Sequence, residues 1–163
     1  MSDQAELIKS RSAGAVSNEA VEFVTFVIAG QLFGIPVLQV QDVLSTYKIT
    51  RIPLAPPEIV GSLNLRGRVV TAIDVRLRLG LPPREEGENH MSIVAECEGE
   101  LYSLMVDSVG EVLALSQEGY ERNPPTLDPK FRTYSDGIYR LDGQLLVVLD
   151  VIRLLDYERS DAA

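Results

Sequence analysis

The chain carries one plan twice. AECEGELYSLMVDSVGEVL, from Ala95, lies on FVIAGQLFGIPVLQVQDVL, from Phe26, at an offset of 69 residues. Gly99 then matches Gly30, Tyr102 matches Phe33, Val109 matches Val40, Leu113 matches Leu44, and Glu111 stands where Asp42 stands. Further on, LDGQLLVVLDVIRLL lies on LRGRVVTAIDVRLRL at an offset of 76, pairing Gly143 with Gly67 and Asp150 with Asp74. A repeated supersecondary unit that cannot bury its apolar face alone must pack against its twin. Each copy reads as about five short strands, and sheets of that size close into barrels to remove their edges. The expected fold is mostly β, with two small barrels sharing a core.

The elements follow from local chemistry. VEFVTFVIAG and LFGIPV are rich in Val, Phe and Ile and read as a hairpin across a Gly-containing turn. Val40, Val43 and Leu44 fall at i, i+3 and i+4, which predicts a short helical turn over QVQDVLSTY. Pro53, Pro56 and Pro57 exclude a helix after ITRIP. Ile59 to Leu65 and Arg68 to Ile73 read as a strand pair joined around Arg66-Gly67, and Asp74 reads as the N-cap of a short helix that stops at Gly80. Residues 1–20 are polar without a sustained period and are expected to be a mobile tail. The two copies run over roughly 21–80 and 91–157, within an ordered unit of 21–157, and residues 158–163 form a C-terminal tail.

Composition removes several classes. Of 163 residues, 45% are hydrophobic and 24% charged, as in an ordinary globular protein. The single cysteine, Cys97, cannot form an internal disulfide. No apolar run approaches membrane-spanning length, and residues 1–20 lack the apolar core of a signal peptide, so a cytoplasmic location without membrane insertion is expected. A net charge of −9 disfavours binding to nucleic acid. The charge is uneven: residues 46–84 hold seven basic and two acidic side chains, whereas 85–163 hold six and seventeen. Folding either presents these as two faces of opposite sign or mixes them over the surface.

Catalytic chemistry is hard to assemble from these residues. His90, the only histidine, lies in the polar connector and reads as a surface loop residue; with Cys97 it cannot supply an ordinary zinc site. No phosphate-binding glycine loop occurs. Asp74 and Asp150 recur at a strand end in both copies; helix capping explains the position without a reactant, better than an acid–base dyad does. Neither a cofactor nor a metal is called for, and binding to other proteins is the expected activity. A ligand- or nucleic-acid-binding barrel is the rival from another class, and the absence of Trp weakens it.

The series FGIPV, VQDVL, ITRIP, PPEIVGS, NLRG and IDVR, spread over residues 21–157, resembles the CheW family of bacterial chemotaxis coupling proteins. The resemblance implies two intertwined five-stranded SH3-like barrels that exchange strands. It also implies a non-catalytic cytoplasmic adaptor between the histidine kinase CheA and the signalling tips of transmembrane chemoreceptors, recruited to the inner face of the membrane; another receptor–kinase pathway is the near alternative. Carried over by position, Val40, Asp42, Gly61 and Arg66 match family positions tied to receptor and kinase contact, and Asn64 and Gly67 complete the NLRG turn. Asp42 stands where glutamate is common in the family.

The two copies differ at that turn. Arg66 corresponds to Asp142 and Asn64 to Arg140. The reversal suggests that the first copy's turn meets a partner, although Arg66 could equally pair with Asp42 to pin the turn. Val40, Val43 and Leu44 could be core or a dock for an apolar stripe.

Overall fold

Hairpins with β-branched and aromatic strands start both copies, and their placement determines everything else. In a computed structural model, which describes residues 20–45, 49–50, 52–85 and 88–156, the first copy opens with β1 (Ala20–Ile28) and β2 (Gln31–Pro36). A 3-10 turn at Val37–Gln39 leads into β3 (Val40–Leu44). β4 (Ile59–Leu65) and β5 (Arg68–Asp74) form the second hairpin, followed by helix α1 (Val75–Arg78). The second copy repeats this as β6 (Met91–Cys97), β7 (Glu100–Val106), β8 (Ser108–Ser116), β9 (Tyr120–Arg122), helix α2 (Pro129–Arg132), β10 (Ser135–Leu141), β11 (Gln144–Leu149) and helix α3 (Val151–Leu154). Residues 1–19 and 158–163 of the expected tails, and the residues 46–48 that follow β3, lie outside the described residues, whereas Ala20, expected in the tail, begins β1.

The copies exchange hairpins. One sheet runs β8-β1-β2-β11-β10-β9 and the other β3-β6-β7-β5-β4. Each barrel thus takes its first hairpin from one copy and its remaining strands from the other. The joints are parallel, β2 to β11 and β5 to β7, while every other pairing is antiparallel. Neither copy can complete a sheet without its twin.

Three apolar clusters fill this frame. Phe23, Tyr139 and Leu146 fill the first barrel, and Leu63, Val70, Ala72, Val94, Leu101 and Met105 fill the second. The largest cluster lies between them and draws on both: Phe26, Ile28, Phe33, Ile35, Ile73, Ile93, Leu104, Ile138 and Val147 are all fully buried there. The shared core expected from the repeat is therefore its dominant apolar feature. At roughly 1.5–3 kcal/mol for each fully buried large side chain, it is the main reason the barrels stay together.

Two expectations need correction. Residues 40–44 form a strand rather than a helical turn. A β-bulge causes the misleading spacing: Val40 pairs with Ala95 and Asp42 with Val94, leaving Gln41 as an extra residue that shifts the alternation. The first barrel also has a sixth strand, the short β9, whose counterpart is the single bridge Thr50 to Ser62.

A candidate partner-binding surface

The β4–β5 hairpin turns on Arg66 and Gly67, which have φ values of 52° and 83°. Positive φ at both central residues of a two-residue loop matches the right-handed twist of the strands. Gly67 adopts it freely, whereas Arg66 is an L-residue in a region that costs roughly 1–2 kcal/mol. Asn64 supports the turn from below, its Oδ1 accepting the Gly67 N–H at 2.9 Å.

Arg66 then reaches across to β3. Its Nη2 donates to Asp42 Oδ2 at 3.0 Å, and Asp42 Oδ1 accepts the Val43 N–H at 2.8 Å. β3 and β4 are the two outer strands of their sheet, so the pair spans the line along which the second barrel closes. The Arg66 side chain is 77% exposed and that of Asp42 26%. Val43 on β3 and Val69 on β5 are exposed apolar side chains of the same sheet.

Val40 is half-buried and packs on the shared core, so it supports the strand more than it meets solvent. Gly61 is buried on β4, and a Cβ there would collide with the carbonyl of Thr50. Gly137, its counterpart in the second copy, would collide with Tyr120 and the Glu121 carbonyl. Both glycines exist so that the preceding segment can approach the hairpin closely, and Gly61 has no side chain to offer a partner. The candidate residues therefore divide: Asp42 and Arg66 present chemistry, while Val40, Gly61, Asn64 and Gly67 hold it in shape.

Asp74 and Asp150 cap helices. Asp74 Oδ1 accepts from the N–H groups of Arg76 and Leu77, and Asp150 Oδ1 from that of Arg153.

The described part of the basic block does not form one free face. Asp107, at the β7–β8 corner, receives Arg76 at 2.8 Å on Oδ2 and Arg84 at 2.9 Å on Oδ1, and Oδ2 also accepts the Ala29 N–H at 2.8 Å. Burial pushes its carboxyl up, but the Ala29 N–H and the two guanidiniums outweigh this and hold it below the usual carboxylate range. Arg78 pairs with Glu58 at 3.9 Å and stacks on Tyr134. Of the described basic side chains in that block, Arg66, Arg76, Arg78 and Arg84 are thus ion-paired, which favours the mixed surface of the two sequence expectations. Asp107 joins the inter-copy connector to both copies, and no spacing in the sequence pointed to it. His90 lies in the connector loop, as expected, and is half-buried there; burial and then Arg84 lower its pKa.

Among the described residues no group of three or more His, Cys, Asp or Glu side chains is placed to hold a metal. No helix among them is long and apolar enough to cross a membrane.

Two barrels with exchanged hairpins, and an exposed ion pair between β3 and the β4–β5 turn, define a paired-barrel module whose candidate site is an open surface. A family model described as the CheW-like domain matches residues 22–159, and the chain belongs to that family. It is 31% identical over 143 residues to the chemotaxis protein CheW of Bacillus subtilis, covering 87% of this chain and 91% of that one. It is 25% identical over 154 residues to the chemotaxis protein CheW of Rhizobium meliloti, covering 94% and 99%. The crystal structure of the scaffolding protein TtCheW from Thermoanaerobacter tengcongensis superposes with a TM-score of 0.75 at 29% identity, covering 84% of this chain and 93% of that one.

Proposed function

We propose that this protein is a chemotaxis coupling adaptor that links the cytoplasmic signalling tips of chemoreceptors to the regulatory domain of the histidine kinase CheA. Membership of the CheW-like family carries this reading, since relatives matched over nearly their whole length are named as chemotaxis proteins. The second barrel offers the contact. Arg66 and Asp42 give it a fixed polarity, which sets orientation and partner choice in protein interfaces. Val40, Gly61, Asn64 and Gly67 keep that surface in register.

Coupling of this kind works by binding without catalysis. An adaptor transmits a signal when it binds two states of a partner with different affinity, so that one equilibrium biases the other. The receptor would hold the complex at the inner face of the membrane. Co-purification from cells with mass-spectrometric identification of bound proteins tests the reading. Recovery of a CheA-type kinase together with chemoreceptors supports it, and recovery of neither under conditions that keep receptor arrays intact contradicts it.

A further inference from the structure

The two ends of the shared core are finished differently. In the first barrel α2 lies over it: Phe131 meets Phe33 edge-on at 5.2 Å, and the Lys130 stem lies against Gly80. The internal repeat identifies the equivalent places at the other end. Tyr102 corresponds to Phe33, Asp156 to Gly80, and residues 53–58 to 129–134. Backbone bonding fixes that last correspondence, because the Asp74 N–H donates to the Glu58 carbonyl as the Asp150 N–H donates to that of Tyr134. Ala55 therefore stands where Phe131 stands, and the segment around it, with Pro53, Pro56 and Pro57, is not helical.

The described residues leave a groove of about 550 Å³ at that end. Ile59, Ile73 and the Tyr102 ring line it, and Ile152, more than half exposed, stands at its wall with Leu155. Glu98, Glu100 and Asp156 also line it, and no basic side chain is among its described lining residues. Cys97 sits inside it, where burial first, and then Glu98, Asp150 and Glu100, raise the thiol pKa.

We propose that this groove docks a segment of a partner protein that presents an aromatic side chain between basic ones. The molecule holds its own template for the occupant. The turn that covers the equivalent face reads Lys130-Phe131-Arg132, an aromatic ring flanked by two cations, of which Lys130 lies against Gly80 while Arg132 donates back to the Pro125 and Leu127 carbonyls. Where the filled end sets Lys130 against Gly80, the other end is lined by Glu98, Glu100 and Asp156, Glu100 also accepting the Tyr102 O–H. An aromatic side chain would lie on Tyr102 as Phe131 lies on Phe33, and its basic neighbours would meet the acidic groups. This surface is distinct from the Asp42–Arg66 pair and does not depend on the proposed role of that pair.

The test uses the full chain, ¹⁵N-labelled, titrated with a synthetic peptide of residues 125–135 to millimolar concentration, a range in which weak docking is read reliably by chemical shift. The expected result is saturable shifts at Thr71, Glu98, Tyr102 and Ile152, with slower modification of Cys97. A peptide carrying Phe131→Ala should bind about tenfold more weakly or worse. The protein variant Glu98→Lys/Glu100→Lys, altered at two exposed positions, one in the β6–β7 turn and one at the start of β7, should lose affinity to a similar degree with the melting temperature lowered by no more than a few degrees. The inference is overturned by absence of saturable groove shifts, by equal binding of the Phe131→Ala peptide, or by shifts confined to the Phe33 end. It is equally overturned if groove resonances move with protein concentration alone and sedimentation shows a dimer, which would make a second copy the occupant.

Discussion

Arg66 and Asp42 stand 3.0 Å apart across the closing line of the second barrel, one in the β4–β5 turn and the other on β3. The equivalent positions in the other copy are Asp142 and Glu111, two acids that cannot pair. The bond is therefore no general requirement of the fold. With Arg66 so exposed, it contributes at most about 1 kcal/mol. An exposed pair that adds so little stability and is absent from the other copy points to a use at the surface.

Arg66→Glu should lower the melting temperature by no more than about 4 °C, as a loss near 1 kcal/mol does in a domain of this size. Binding to partner should weaken by about tenfold or more, because the contact surface reverses its polarity. Calorimetry and a binding isotherm on the same preparation separate the two effects. Unfolding of the variant would show Arg66 to be structural.

Gly61→Ala should act in the opposite way. The new methyl meets the Thr50 carbonyl, which is backbone and cannot swing aside. Overpacking of this kind costs about 1–3 kcal/mol. Partner binding should fall only as far as folding falls, and Gly137→Ala should cause a similar loss of stability from the other barrel. A Gly61→Ala protein of full stability that no longer binds would refute this division of roles.

Asp107 makes stability depend on acid. Its folded pKa is depressed, so the stabilisation it provides is fully present above the ordinary carboxylate pKa of about 4 and is lost as pH falls through the folded value. Urea melts between pH 7 and pH 3 should show that loss, and Asp107→Asn should flatten the acid limb. Asp107→Ala leaves Arg76 and Arg84, both mostly buried, without their shared carboxylate, at a cost of about 2 kcal/mol or more at neutral pH.

Asp74→Ala and Asp150→Ala should each cost about 1 kcal/mol through loss of a helix cap, with Asn restoring most of it. Stability and partner binding of the Asn variants check this. A role for either carboxylate in chemistry would show instead as a defect that Asn cannot repair.

Much of this architecture was legible in the sequence because its signals are local. The NLRG turn, the strand pair around it and the Asp caps all follow from a few adjacent residues. The Arg66–Asp42 pair was weighed from charge alone, since it needs only that turn and its neighbouring segment to meet. β3 was misread because a single extra residue, Gln41, turns strand alternation into a helix-like spacing at Val40, Val43 and Leu44. The Asp107 hub was illegible because its partners, Ala29, Arg76 and Arg84, come together only once hairpins are exchanged between copies. The groove beside Tyr102 was hidden for a related reason: it is visible only when Ala55 is compared with Phe131 in three dimensions.

The most direct measurement of the central claim is binding of a chemoreceptor cytoplasmic fragment and of CheA to four proteins: wild type, Arg66→Glu, Asp42→Arg, and the exchange Asp42→Arg/Arg66→Asp. All should be folded by calorimetry, and the exchange should regain any stability lost by the single variants, because the ion pair is rebuilt. If the surface is read by its polarity, wild type binds at least one of the two partners and the other three, the exchange included, bind it about tenfold more weakly or worse. Wild-type affinity in the exchanged protein would contradict the account, reducing Arg66 and Asp42 to a pin that holds the barrel closed.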